Sequence, residues 1–171
     1  MTKIIIVGTL HAGITPNSEL EEVIESYKPD QILVEIKNED IIKDNVDSYP
    51  PEMIFAYQWA KKNGIKVAGF DSDIDVFKEG ITDADNQRLI EQQKKLIKTS
   101  WKEFNKKENE KLLDIEGIDI VDHQKERERE LDMLRNINKI IINSGVVLII
   151  TGCGHLNFFE DNIDRAIFPF R

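Results

Sequence analysis

The chain has 171 residues and a formal net charge of −9 at pH 7, from 23 lysines and arginines against 32 aspartates and glutamates. This length fits one domain with its own core. An acidic chain is a poor partner for nucleic acid or for an anionic membrane surface. The single cysteine, Cys153, leaves no internal disulfide, and no segment approaches the roughly 20 apolar residues of a membrane span. We therefore expect a cytoplasmic protein, without a signal peptide, that binds neither nucleic acid nor membrane.

The predicted elements alternate between strands and helices along most of the chain. The first strand is the β-branched run Ile4–Val7, and the first helix begins at a capping box formed by Ser18 and Glu21. A second strand, Gln31–Ile36, is followed by a polar loop over residues 37–49. The remaining elements, in chain order, are a helix over 51–62, a strand over 65–70, a long helix over 84–108, a helix over 123–143 and a strand over 146–150.

This alternation predicts an α/β fold, a three-layer sandwich in which helices flank a central sheet that is mostly parallel or mixed. No strand separates the two late helices, so residues of about 80–122 are interpreted as a helical insertion in a single domain spanning 1–171. The helix over 84–108 carries a narrow apolar stripe, which predicts the seam of a homodimer. The alternative is that the stripe packs on the chain's own last long helix. The stripe consists of Leu89, Leu96, Ile97, Trp101 and Phe104.

Polar residues follow each predicted strand. His11 follows the first strand, Glu35 ends the second, Asp71 follows the third and His155 follows the fourth. Open α/β sheets bind ligands beyond the carboxyl ends of their strands, so we expect these residues in one pocket. The grounds for Asp71 are weaker, because its strand is placed by pattern alone.

Glu35 is the clearest departure from the strand pattern, because it interrupts an apolar run. A buried carboxylate costs several kcal/mol unless it is paired or binds a metal. We expect a functional carboxylate whose charge can be removed without loss of stability. The alternatives are an exposed position at the strand tip, or a structural pair with an arginine such as Arg129.

Two chemistries remain open from the residues themselves. His11, Glu35, His155 and Asp71 could bind a divalent metal ion. A metal-free site, in which a carboxylate orients a histidine that acts as general base, is equally compatible with the spacing. Cys153 is interpreted as a small buried thiol, with a nucleophile or ligand as the alternative.

Five segments, in order, resemble the TraB/PrgY family and its wider relatives, the Tiki, GumN, erythromycin-esterase and ChaN-like proteins. Residues 8–11 and 152–156 resemble the two GxxH motifs, 28–35 the KPD…VE segment, 52–74 the next helix and strand, and 128–133 the ERD…M segment. Many members have an arginine where this chain has Ser72. The resemblance implies an α/β sandwich around a mixed sheet, and a metal-dependent peptidase, an esterase or a haem-binding protein.

From this resemblance we expect a hydrolase of peptide or ester bonds that acts on a small-molecule or peptide substrate. His11, Glu35 and His155 would bind a divalent metal or position water directly, and Arg129, or else Arg127, would stabilise the oxyanion. One alternative is a protein that binds haem or a metal through the same histidines without turnover. Another is an inactive family member that acts in assembly.

Overall fold

The computed structural model describes residues 1–96, 100–109 and 120–171. Its strands and α-helices, in chain order, are β1 (Thr2–Thr9), α1 (Asn17–Tyr27), β2 (Gln31–Val34), α2 (Asn38–Lys43), α3 (Pro51–Lys62), β3 (Lys66–Gly69), α4 (Asp83–Leu96), α5 (His123–Ile140), β4 (Gly145–Gly152) and α6 (Leu156–Asn162). A 3₁₀ helix, Trp101–Asn105, lies between α4 and α5, and another, Cys153–His155, joins β4 to α6.

The four strands form one parallel sheet in the order β1-β4-β2-β3. In the register of the sheet, Ile5 lies beside Leu148 and Leu33 beside Ile149. These side chains are fully buried, which explains why the strands are continuous apolar runs rather than alternating ones. The predicted α/β sandwich is confirmed, with strands that are all parallel in the part of the chain that the structure describes.

The outer edge of β1 is covered by two other segments of the chain. Ile6 donates its N–H to the carbonyl of Ile167 at 2.9 Å, and Ile167 donates to the carbonyl of Ile4 at 2.9 Å. Further along, the side-chain amide of Asn105 accepts from the N–H of Gly8 and donates to its carbonyl, both at 2.9 Å. These four backbone groups are therefore paired, which protects the edge from pairing with another chain.

Two local predictions in the first third of the chain are wrong. The predicted capping box does not form, because α1 begins at Asn17 without a side-chain cap. Glu21 instead accepts a hydrogen bond from the indole N–H of Trp59 at 3.0 Å. The predicted loop over 37–49 contains helix α2, with Glu39 in its first turn and Lys43 in its last, both favourable for the helix dipole.

The prediction of a single long helix over 84–108 is also wrong. Helix α4 is followed by a 3₁₀ helix that begins after Ser100, and the hydroxyl of Ser100 accepts from the N–H of Lys102. Trp101 and Phe104 are 2% and 4% exposed and belong to the chain's own core. They cannot form part of a dimer seam, and Ile97 lies outside the described residues. A homodimer therefore stays a prediction that lacks the proposed aromatic contacts.

No helix among the described residues combines the length and the apolar character that a crossing of the bilayer requires.

Candidate active site

The carboxyl edge of the sheet brings the five predicted site residues together. His11, Glu35, Asp71, Arg129 and His155 all line one cavity of about 730 Å³. Four of them follow the four strands, and since parallel strands end at the same edge, their side chains meet there. The fifth, Arg129, reaches the cavity from helix α5.

A tight loop after β1 positions His11. Ala12 and Gly13 have φ angles of 60° and 71°, in the left-handed region. The loop is closed by Thr15, whose hydroxyl accepts from the N–H of Leu10 at 2.8 Å. A left-handed residue other than glycine costs about 1–2 kcal/mol, so Ala12 is strained directly beside His11. The side chain of His11 is 45% exposed and therefore accessible from the cavity.

A buried carboxylate fixes the ring of His11 through a hydrogen bond. Its Nδ1 lies 2.6 Å from Oε1 of Glu52, which is fully buried in the first turn of α3. Since a carboxylate accepts, we assign the proton of the neutral ring to Nδ1 and the lone pair to Nε2. Burial lowers the pKa of His11, but the hydrogen bond to Glu52 and the charge of Glu35 outweigh it, and the net shift is upward.

The lone-pair nitrogen of His11 faces a glycine. A Cβ placed on Gly152 would lie 3.0 Å from Nε2 of His11 and 3.6 Å from Oε2 of Glu35. The missing side chain is therefore what allows the imidazole, the carboxylate and the end of β4 to approach one another.

Replacing Gly152 by alanine is expected to lower about 100-fold any turnover that depends on Nε2 of His11, since displacing a reacting group by about 1 Å costs that much. Its φ of −62° suits any residue, so the backbone is not strained and the melting temperature should change little. Gly8→Ala is the matched control: its Cβ would lie 2.8 Å from the Cα of Cys153, and it should lower the melting temperature. Unchanged turnover in Gly152→Ala, measured beside a thermal melt, would contradict this placement of His11.

Glu35 is buried, with both oxygens engaged. Its Oε2 accepts from the hydroxyl of Thr151 and from the N–H of Gly152, both at 2.7 Å. Its Oε1 lies 3.0 Å from Nη2 of Arg129 and 3.6 Å from Nε2 of His155. Burial raises the pKa of Glu35, but the charges of His155 and Arg129 lower it by a larger amount. The net effect is a pKa of about 2. Glu35 is 5% exposed, so the exposed strand-tip interpretation is wrong, and the neighbouring charges favour its ionised form.

Arg129 links Glu35 to Asp71. Its Nε and Nη2 lie 2.9 and 2.8 Å from Oδ1 of Asp71. Burial and the charge of Glu35 raise the pKa of Asp71, although Arg129 opposes them. Arg127 lies elsewhere, with its guanidinium carbon 4.5 Å from the ring centre of Phe158. Of the two candidate arginines, Arg129 is the one that lines the cavity.

His155, like His11, has a buried carboxylate beside its Nδ1. Nδ1 of His155 lies 3.0 Å from Oε1 of Glu130, and both side chains are buried. Burial lowers the pKa of His155, but the charge of Glu35 and the hydrogen bond to Glu130 raise it more. His155 therefore lies between two carboxylates, which favour its protonated form.

Sequence reasoning missed both supporting carboxylates as site residues. Glu52 follows Pro50 and Pro51 at the start of a helix, where an acidic residue is ordinary. Glu130 lies in a run of alternating charges, which is typical of a solvated helix face. The one available signal is helical spacing, since Glu130 lies three residues before Met133 and seven before Ile137, the buried apolar positions of α5.

As arranged, these side chains do not fit a divalent metal ion. Both oxygens of Glu35 are engaged, and a guanidinium already lies between Glu35 and Asp71. Among the described residues, no group of three histidine, cysteine or acidic side chains has the arrangement of a metal site. The guanidinium of Arg129 is already paired with Glu35 and Asp71, so it offers no free cation to a haem propionate.

Cys153 lies at the edge of this cavity, between β4 and α6. Its side chain is buried, and burial raises the pKa of the thiol to about 12. A thiol in this state is a poor nucleophile and a poor ligand, which favours the structural interpretation.

Comparison with protein-family models, with curated proteins and with solved structures finds no match for this chain. The chemistry of the site therefore has to follow from its geometry. Two histidines are each supported at Nδ1 by a buried carboxylate, and an arginine lies beside them in the same cavity. Such a set can remove a proton from water and bind a developing negative charge.

Proposed function

We propose that this chain is a hydrolase of ester or peptide bonds that activates water with His11 and needs no metal ion. The observation that carries the proposal is the pair formed by His11 and Glu52. A buried carboxylate fixes one ring nitrogen, the other lies beside Gly152, and both His11 and Gly152 line the cavity. This is the arrangement by which carboxylates orient general-base histidines. The resemblance to TraB/PrgY-type motifs supports hydrolysis as the reaction class.

In the proposed reaction, Nε2 of His11 removes a proton from water, and the hydroxide adds to the carbonyl carbon of the substrate. The carbonyl oxygen becomes an oxyanion and accepts hydrogen bonds from Arg129. The described contacts of that guanidinium use Nε and Nη2, which leaves the Nη1 hydrogens for the substrate. When the tetrahedral intermediate collapses, the leaving alkoxide or amine takes the proton from His11.

His155 contributes positive charge in this scheme rather than a second base. Glu35 and Glu130 favour its imidazolium form, and that cation lies in the same cavity as the reacting carbonyl. A cation preorganised beside a developing oxyanion stabilises the transition state more than the ground state.

The test is turnover of 4-nitrophenyl esters and of peptide anilides by purified protein before and after dialysis against EDTA, with elemental analysis of both samples. We expect hydrolysis that survives chelation. Loss of activity in EDTA with recovery on adding Zn²⁺ or Mn²⁺ would contradict the metal-free mechanism. Absence of turnover throughout the panel would contradict the hydrolase itself.

The pH dependence of kcat/KM is expected to follow the ionisation of His11. Activity should rise as the imidazole loses its proton, with a midpoint above the ordinary pKa of 6.5. Glu52→Gln removes the hydrogen bond and the charge that raise this pKa while burial remains, so the midpoint should move to lower pH. Loss of such a supporting carboxylate should also lower kcat/KM about 10–100-fold.

Glu130→Gln is the control for this shift, because Glu130 contacts the other histidine. It should not lower the midpoint. If Glu52→Gln left the midpoint in place, His11 would not be the group that titrates in the rate.

A further inference from the structure

The cavity above the site has two chemically different parts. The floor carries the polar groups at the carboxyl ends of the strands. The opposite side is an apolar wall, which consists of Val76, Phe77, Leu89, Ile90, Ile120 and Val121. The whole cavity, at about 730 Å³, is of a size that holds a small organic molecule.

The apolar wall is built from two segments that the catalytic proposal does not use. One is helix α4, which contributes Leu89 and Ile90. The other is a short antiparallel bridge between Phe77 and Val121. The bridge is secured by a hydrogen bond from the N–H of Asp122 to the carbonyl of Val76 at 2.8 Å.

The apolar wall is partly open to solvent. Phe77 is 45% exposed, one of the few large apolar side chains exposed among the described residues. An aromatic side chain on a cavity rim has apolar area that a ligand can cover, and covering it is favourable.

The charges around the apolar wall argue against a substrate whose far end is anionic. The cations of the described lining, Arg129 and protonated His155, lie among the polar groups at the strand ends, where Glu35 contacts both. The apolar wall itself carries no lysine, arginine or histidine, and Glu126 adds an acidic group to the lining. A negatively charged end group at the apolar wall would lose its hydration and gain no cation there.

We propose that the substrate is a neutral ester or amide with a medium-length apolar chain, and that the apolar wall holds this chain while the carbonyl group lies at His11. This substrate class rests on the proposed hydrolase function. Each methylene that the apolar wall removes from water should raise kcat/KM about fourfold. Leu89 and the bridge between Phe77 and Val121 therefore determine specificity.

The experiment compares kcat/KM for 4-nitrophenyl acetate, butanoate and hexanoate, and for the mono-4-nitrophenyl ester of adipic acid, which ends in a carboxylate. We expect a rise of about fourfold per methylene along the neutral series. The adipate ester should be at least tenfold poorer than the hexanoate. Equal rates for acetate and hexanoate, or for hexanoate and adipate, would overturn the substrate class while leaving the hydrolase intact.

A variant of the apolar wall tests its role directly. Leu89→Gln keeps a good helix former at a half-buried position and should lower kcat/KM about tenfold more for the hexanoate than for the acetate. Arg88→Gln is the matched control, because Arg88 is exposed on the same helix and does not line the cavity. A parallel loss for both esters in Leu89→Gln would show that the helix does not select the chain.

If no ester is hydrolysed, a binding experiment tests the proposed substrate class separately from the proposed hydrolase function. N-hexylacetamide and 6-acetamidohexanoate differ only in a terminal methyl group or carboxylate, and titration calorimetry measures both. The apolar wall predicts at least tenfold tighter binding of the neutral amide, and a loss of that preference in Leu89→Gln. Equal affinities would overturn the substrate class without reference to turnover.

Discussion

Replacing Glu35 by glutamine is expected to destabilise the fold by about 3–5 kcal/mol, the loss that follows when one partner of a buried ion pair is removed. The change keeps the size of the side chain and removes the charge that faces Arg129 at 3.0 Å and His155 at 3.6 Å. The sequence alone favoured the opposite sign, a functional charge whose removal leaves the fold as stable. The guanidinium of Arg129 is the reason for the reversal.

The pH dependence of stability gives this prediction a second readout. The pKa of Glu35 is lowered in the folded protein from 4.5 to about 2. A lowered pKa contributes stability that is fully present above about 4.5 and is lost as the pH falls towards 2. Urea melts of wild type and Glu35→Gln should therefore differ most near neutral pH, and the difference should narrow in acid.

Asp71→Asn is the matched control, because Asp71 contacts the same guanidinium. Its pKa is raised rather than lowered, so the fold disfavours its ionised form and loses less when the charge is removed. We expect a smaller loss of stability than for Glu35→Gln. Equal stability of Glu35→Gln and wild type at pH 7 would restore the functional interpretation of this residue.

Replacing His11 by asparagine is expected to lower kcat/KM about 10²–10⁴-fold, the usual contribution of a general base. The amide nitrogen of asparagine takes the position of Nδ1 and can still donate to Glu52. Nothing replaces Nε2, so the base is lost while the support of the buried carboxylate is kept. The free energy of unfolding should therefore change by less than about 1 kcal/mol.

His11→Ala separates catalysis from stability at the same position. It removes the donor to Glu52, whose Oε2 already has no hydrogen-bond partner among the residues that the structure describes. A buried carboxylate left without any donor should lower stability by about 1–3 kcal/mol or more, in addition to the loss of turnover. Chemical denaturation measures the stability of both variants, and ester hydrolysis measures their activity. Full activity in His11→Asn would exclude His11 as the base.

The sequence predicts the location of this site better than its chemistry. His11, Glu35 and His155 can be placed because each follows a buried apolar run, and parallel strands end together. Glu52 and Glu130 could not be assigned, because their sequence contexts are those of ordinary helix surfaces. Only the packing of α3 and α5 against the strand ends turns them inward.

The fold, like the site, is predictable where it depends on a sequence pattern and not where it depends on packing. The sheet follows from four apolar runs, whereas the helix over 84–108 depended on a periodicity that continues through Trp101 and Phe104. Those side chains satisfy the helical spacing but are buried beside β1. Burial of two large aromatic side chains outweighs helix propensity, which differs by less than about 1 kcal/mol per residue.

The strand order also determines when the molecule can assemble during its synthesis. β4 is the last of the four strands to be made, yet it lies between β1 and β2 and pairs with both. On the ribosome, β1 therefore emerges long before its neighbour in the sheet exists, and its apolar side chains must wait unpaired. Folds that depend on such distant pairings form slowly and are exposed to aggregation meanwhile. Since β4 ends at Gly152 and His155 follows three residues later, the cavity at the strand ends is complete only after the central strand has been inserted.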